Sequence, residues 1–176
     1  KDIPDYLGKY KPEELLWRVS YKKMRELFSS FAPLDNASFY TARFNSESHD
    51  KFLTILKRAG YRLVTKLLKE YSDHTLKEPH RKANFDVEIS VDAVDQRGHF
   101  DTLILFSGDS DFDYLIRYLR GHGKRVIVFS RTGHVSAELI KAASQYFDIV
   151  DFRDSFLEII PRKAKSLASK DARPRS

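Results

Sequence analysis

Residues 101–120 read DTLILFSGDSDFDYLIRYLR. The run Leu103-Ile104-Leu105-Phe106 is uninterrupted and apolar, as in strands buried on both faces. Further on, Phe112, Leu115, Ile116 and Leu119 recur at the spacing of one helix face. Between the two, Ser107-Gly108-Asp109-Ser110-Asp111 has to turn the chain from strand to helix in a few residues, and Gly108 suits a tight turn with backbone close to a neighbour. Buried strand, short turn and amphipathic helix make up half of a βαβ unit.

The flanks repeat the pattern. Downstream, Gly121-His122-Gly123 is a turn, and residues 125–130 carry Val126, Ile127 and Val128 as a second buried strand. Ser136 is placed to cap a helix running to about Phe147, residues 148–152 read as a short last strand, and residues 156–160 as a half-turn. Upstream, residues 86–96 read as a helix with Val87, Val91 and Val94 as its apolar stripe, and residues 69–84 as a polar loop. Residues 61–68 and 37–44 read as strands. Residues 50–59 form a helical pattern ended by Gly60, and residues 21–31 a helix with Ser20 before it and Met24, Leu27, Phe28 and Phe31 along one face. Strands alternating with short helices predict a three-layer αβα sandwich around a mainly parallel, Rossmann-like sheet. The expected organisation is one domain over residues 19–160, an N-terminal surface segment over residues 1–18, and a basic, flexible tail over residues 161–176.

Composition narrows the function. With 176 residues and 41% hydrophobic content the chain is long enough to bury a core. It has no cysteine, which excludes disulfides, thiolate metal sites and a cysteine nucleophile. No apolar run is long enough to span a bilayer and no signal-peptide pattern is present, so a cytoplasmic protein without membrane contact is expected. The net charge of +6 sits mostly in the tail, where Arg162, Lys163, Lys165, Lys170, Arg173 and Arg175 face only Asp171. The body is nearly neutral, so the charge alone does not make it a nucleic-acid binder. A tail of this kind adds salt-sensitive affinity for phosphates, or serves solubility.

In a parallel sheet ligands bind beyond the carboxyl ends of the strands. Asp109 and Asp111 fall at such an end, and two carboxylates on one turn suit a hard cation with oxygen ligands, Mg²⁺ or Mn²⁺. They also suit a purely local role in shaping the turn and capping the helix. Asp86 opens the preceding helix, where a carboxylate is favoured in any case. Glu88 and Asp92 lie one turn apart on that helix, a like-charge spacing that calls for a cation or a basic neighbour, unless the face is simply solvated. Arg81 and Lys82 precede the acidic helix, while Arg131 and His134 lie in the loop 130–136, on the same sheet edge as the aspartates. No Gly-x-Ser-x-Gly, His-Glu-x-x-His or Walker loop is present.

Three motifs in order carry a resemblance: Lys82-Ala-Asn-Phe-Asp-Val with Asp92 six residues on, Phe106-Ser-Gly-Asp-Ser-Asp-Phe112, and Gly123-Lys-Arg-Val-Ile-Val-Phe-Ser followed by Gly133-His-Val-Ser136. Over residues 17–152 the sequence resembles the NYN domain, LabA-like branch, of the PIN-like nuclease superfamily. The resemblance implies metal-dependent hydrolysis of RNA phosphodiesters by an acidic cluster that holds Mg²⁺ or Mn²⁺, with 5′-phosphate and 3′-hydroxyl products. By position it implies Asp86, Asp109 and Asp111 as catalytic and metal-holding residues, with Asp92 a further acid. Arg81, Lys82, Arg131 and His134 are the expected RNA contacts. Single-stranded RNA is the favoured form, since a flexible strand bends into a cleft and stacks on aromatics such as Tyr114. A homodimer is a further expectation. The family's opening strand, which ends in an aspartate, has no counterpart here. Either it precedes Lys1 or the protein has lost it, and Met24 as the only methionine favours the first. Loss of that acid would favour the alternative reading, a non-catalytic module that binds RNA or protein.

Overall fold

The computed structural model describes Lys11 and residues 15–67, 69–71 and 80–161, with side chains omitted at 69–71 and 80–82. The elements run β1 (Leu15–Val19), α1 (Tyr21–Phe31), β2 (Ser38–Arg43), α2 (Glu47–Arg58), β3 (Arg62–Leu67), β4 (Lys69–Tyr71), β5 (His80–Lys82) and α3 (Asp86–Asp95). They continue with β6 (Thr102–Phe106), α4 (Asp113–Gly121), β7 (Arg125–Ser130), α5 (Ala137–Ala142), β8 (Gln145–Asp148), α6 (Arg153–Phe156) and β9 (Leu157–Pro161). They fall into two compact units: the αβα unit Tyr21–Phe156, and a separate antiparallel ribbon of β1 and β9.

In the larger unit β2 and β3 pair parallel, and β6, β7 and β8 form a second parallel sheet in that order. Among the described residues no strand joins β2 to β6, so each keeps an unpaired edge. Helices bind the two sheets into one body. Tyr21 at the start of α1 packs edge-on against Phe39 of β2 (5.2 Å between ring centres), and Phe28, two turns on, packs against Phe106 and Phe129 of the other sheet at 5.8 and 5.3 Å. The opposite face carries α3, α4 and α5. There Leu105, Val126 and Val128 meet Ala93, Phe112, Leu115, Ile116, Leu119 and Leu139 in the main core. Side chains alternate along β7: Val126 and Val128 turn to that core, while Phe129 turns to the rings of Phe28 and Phe152.

The anticipated face of α4 is buried as expected, Phe112, Leu115, Ile116 and Leu119 all lying in the core. Gly60 ends α2 with φ of +87°, where a side chain would be strained and would strike the Arg25 guanidinium 2.7 Å away. Several expectations need correcting. Residues 15–19 are a strand rather than surface excursion, because they find a partner in β9, which itself replaces the expected half-turn. The polar loop holds two short antiparallel strands, β4 and β5. The helix capped by Ser136 ends at Ala142, and the strand that follows it is Gln145–Asp148, with a 3-10 turn over Ile149–Phe152. Phe31 points outward. Val87 and Val91 are 71% and 60% exposed; of the expected stripe Val94 alone packs against the core, beside Ile89 and Ala93. Among the described residues no helix is long and apolar enough to cross a membrane.

Candidate metal centre

Asp86 is the first residue of α3, and its position is fixed from below. Its N–H donates to the side-chain carbonyl of Asn84 (2.9 Å). The Asn84 backbone carbonyl in turn accepts from Lys66 Nζ of β3 (2.8 Å), and the Lys66 ammonium lies 5.2 Å from the ring centre of buried Phe85. Lys66 also pairs with Glu88, and Arg62, on the same face of β3, pairs with Asp92. Two basic residues four apart on a strand thus grip two acids four apart on a helix. The like-charge spacing read from the sequence has basic neighbours, as one of its readings required, and they are Lys66 and Arg62.

The second half of the centre comes from the turn after β6. The Asp109 N–H donates to Ser107 Oγ (3.1 Å), and Asp109 Oδ1 accepts from the Asp111 N–H (3.1 Å), which starts the 3-10 turn Ser110–Phe112. Phe112 is buried beneath, while Asp109 and Asp111 just before it stay at the surface. The neighbouring loop locks this turn: the Gly108 carbonyl accepts from the Ser136 N–H (3.0 Å), and the His134 carbonyl packs against the Gly108 Cα.

One carboxylate oxygen from each of Asp86, Asp109 and Asp111 lies within 4.8 Å of the other two. Asp86 is half-buried and the other two are exposed. Carboxylates this close repel one another, and among the described residues no basic side chain pairs with any of the three. Arg117, six residues beyond Asp111, is held instead by Asp113 (2.9 Å). A donor set made only of carboxylate oxygen suits a hard divalent cation and lacks the imidazole and thiolate that zinc or copper prefer. The three aspartates could therefore hold a metal ion.

Asp92 stands apart from this set. Its Oδ2 accepts from the Tyr40 hydroxyl (2.7 Å) and from Arg62. Partial burial opposes its ionisation, but the Tyr40 and Arg62 hydrogen bonds outweigh that and hold its pKa below the usual carboxylate value. Burial, and the hydrogen bond to Asp92, push Tyr40 up to about 12. A depressed folded-state pKa stabilises the fold above the ordinary carboxylate range and ceases to do so as pH falls through the lowered value. Asp92→Asn is accordingly expected to lose about 1–2 kcal/mol of stability at pH 7. Urea melts of variant and parent should converge as pH drops below about 4, while most of any RNA-directed activity persists.

His134 and Arg131 are exposed on the loop after β7, whose His134 backbone carbonyl abuts Gly108, the residue before Asp109. Arg131 also lies near enough to Asp148 to help lower its pKa, after the larger contributions of Thr132 and the Val150 N–H. Arg81 and Lys82 form part of β5, but their side chains lie outside the described residues, as does the tail over residues 162–176. Sequence reasoning missed Lys66, Arg62 and Asn84, which position α3. The available signal was the alternation of Arg62, Val64 and Lys66 beside acids at helical spacing.

Fold and site together define an αβα protein with a carboxylate centre at the carboxyl edge of its parallel strands. The chain belongs to the NYN domain family, whose model matches residues 2–151. It is 32% identical over 145 residues to the low amplitude and bright protein LabA of Synechococcus elongatus, covering 81% of this chain and 77% of that protein. Its fold is similar to the crystal structure of a protein of unknown function from Vibrio parahaemolyticus, with a TM-score of 0.67, 25% identity and coverage of 80% of this chain and 83% of that one. Membership of this family and the αβα architecture agree with the PIN-like resemblance read from the motifs.

Proposed function

We propose that this protein is a divalent-metal-dependent ribonuclease that hydrolyses phosphodiester bonds of single-stranded RNA. The observation that carries the reading is the convergence of Asp86 with Asp109 and Asp111, from two separate segments of the chain, on one oxygen-only cluster. Family membership supports it. Asp86, Asp109 and Asp111 would hold the ion, which when bound supplies a water of lowered pKa and offsets charge on the scissile phosphate. The chain contributes placement: Asn84 and Lys66 set Asp86, and the Ser107 hydroxyl and the Asp111 N–H set Asp109. Arg131 and His134, on the loop that abuts Gly108, would meet an RNA backbone passing the centre, and Arg81 and Lys82 are assigned the same role from their sequence position. The carboxylates attract no polyanion themselves, so a cation is a condition of binding at the centre as well as of turnover.

The test is incubation of end-labelled single-stranded RNA with the protein in Mn²⁺, in Mg²⁺ and in EDTA. Cleavage is expected in one or both metals, is expected to stop in EDTA, and should return with excess Mn²⁺. A second reading, an RNA-binding module without turnover, draws on the absence of a further carboxylate beside the three among the described residues. Binding without cleavage over a panel of RNAs in both metals would establish that reading and overturn the first.

A further inference from the structure

We infer that the solvent face of α4 beside the aspartates is a stacking platform for one unpaired nucleobase, with Tyr114 as its ring. The inference rests on the ribonuclease reading and adds the part of the substrate that is gripped apart from its phosphate.

Tyr114 is 79% exposed, more than any other large hydrophobic side chain among the described residues. A single exposed aromatic is unremarkable in itself, so its place matters. Asp111 lies in the 3-10 turn that runs into α4, and Tyr114 follows it by three residues. In a 3-10 turn side chains three apart eclipse one another, and in an α-helix they remain neighbours about 5–6 Å apart. Asp111 and Tyr114 therefore share one side of the element. Phe112, Leu115, Ile116 and Leu119 occupy the inward side, which leaves that shared side to solvent. One turn beyond Tyr114, Tyr118 is half-buried against the core with its ring 4.2 Å from that of His122, so Tyr114 is the ring that faces solvent on this part of α4.

Arg117, three residues beyond Tyr114 on α4, is engaged by Asp113 (2.9 Å). A flat ring about one nucleotide's length from a phosphate site fits a base adjoining the scissile phosphate. Such stacking is tolerant of sequence because every base has a π-face, and it requires an unpaired strand.

The test uses short single-stranded RNA carrying 2-aminopurine at successive positions, with the full chain as parent, Tyr114→Ala and Tyr114→Phe. The parent is expected to quench the fluorophore at one position near the cleaved bond. Tyr114→Ala should lose the quench and bind about tenfold to a hundredfold more weakly. In cleavage assays its KM should rise by a similar factor with kcat little changed. Tyr114→Phe should restore both quench and affinity, and a fully paired duplex should not distinguish the three proteins. Because the side chain is exposed, thermal melts of the three should coincide. Parent-like quench and affinity in Tyr114→Ala overturn the platform, and continued cleavage in that case leaves the ribonuclease reading standing. Tyr114-dependent quench without cleavage in any metal overturns the ribonuclease reading and keeps the platform. Failure of the parent to bind any single-stranded RNA overturns both.

Discussion

Asp109→Asn and Asp111→Asn each lower Mn²⁺-supported RNA cleavage by about 10²–10³-fold, with the fold intact. The magnitude follows from what a metal supplies. Charge stabilisation at the reacting phosphate is worth several kcal/mol, and every 1.36 kcal/mol is tenfold in rate. Removing one anionic donor from a set of three forfeits much of that by weakening and misplacing the ion. Asparagine is the informative replacement because it keeps shape. Asp109 Oδ1 caps the 3-10 turn by accepting from the Asp111 N–H, and an asparagine carbonyl accepts the same bond with little loss. The change therefore removes charge and spares the turn. Circular dichroism and melting temperature should match the parent, and the Mn²⁺ concentration for half-maximal activity should rise. Undiminished cleavage in both variants would show that the chemistry lies elsewhere.

Gly108→Ala is the second large effect, and it arises from space alone. A Cβ at this position would sit 1.8 Å from the His134 carbonyl oxygen, 2.9 Å from its carbon and 3.0 Å from Ser130 Oγ. The first two are backbone atoms and cannot swing aside as a long side chain does. Either the loop after β7 or the turn after β6 has to move, and the Ser136 N–H bond to the Gly108 carbonyl is strained with it. Overpacking of this kind costs about 1–3 kcal/mol. For a domain of this size that lowers the melting temperature by roughly 2–12 °C. Asp109 is the next residue, so cleavage should fall well beyond what the lost stability explains. A calorimetric scan paired with a cleavage assay at 20 °C, where the variant is still folded, separates the two effects. Parent-like values in both would mean that the loop yields freely.

The centre was legible where its chemistry is contiguous. Asp109 and Asp111 stand between an apolar strand and a one-sided helix, and nothing distant is needed to see that their turn lies at a sheet edge. The helix α3 was harder because its sequence holds two stripes. Val87 and Val91 fit one register, Phe85, Ile89 and Ala93 another. The choice is made by Lys66 and Arg62, whose grip on Glu88 and Asp92 turns the valines outward. Tertiary pairing likewise moved the last strand of the parallel sheet. The Ser144 N–H donates to the Val126 carbonyl (2.8 Å) and Ser144 Oγ accepts from the Val126 N–H (3.1 Å), so the chain leaves α5 for β7 earlier than helical pattern suggests. The strand β1 gave no signal because its partner, β9, lies at the far end of the chain.

Strands β2 and β6 each turn one side toward no neighbouring strand among the described residues. In deuterated buffer the amide protons of Ser38–Arg43 that are directed at β3, and those of Thr102–Phe106 directed at β7, wait for cooperative opening before they are replaced, so alternate positions along each strand should keep their protons longest.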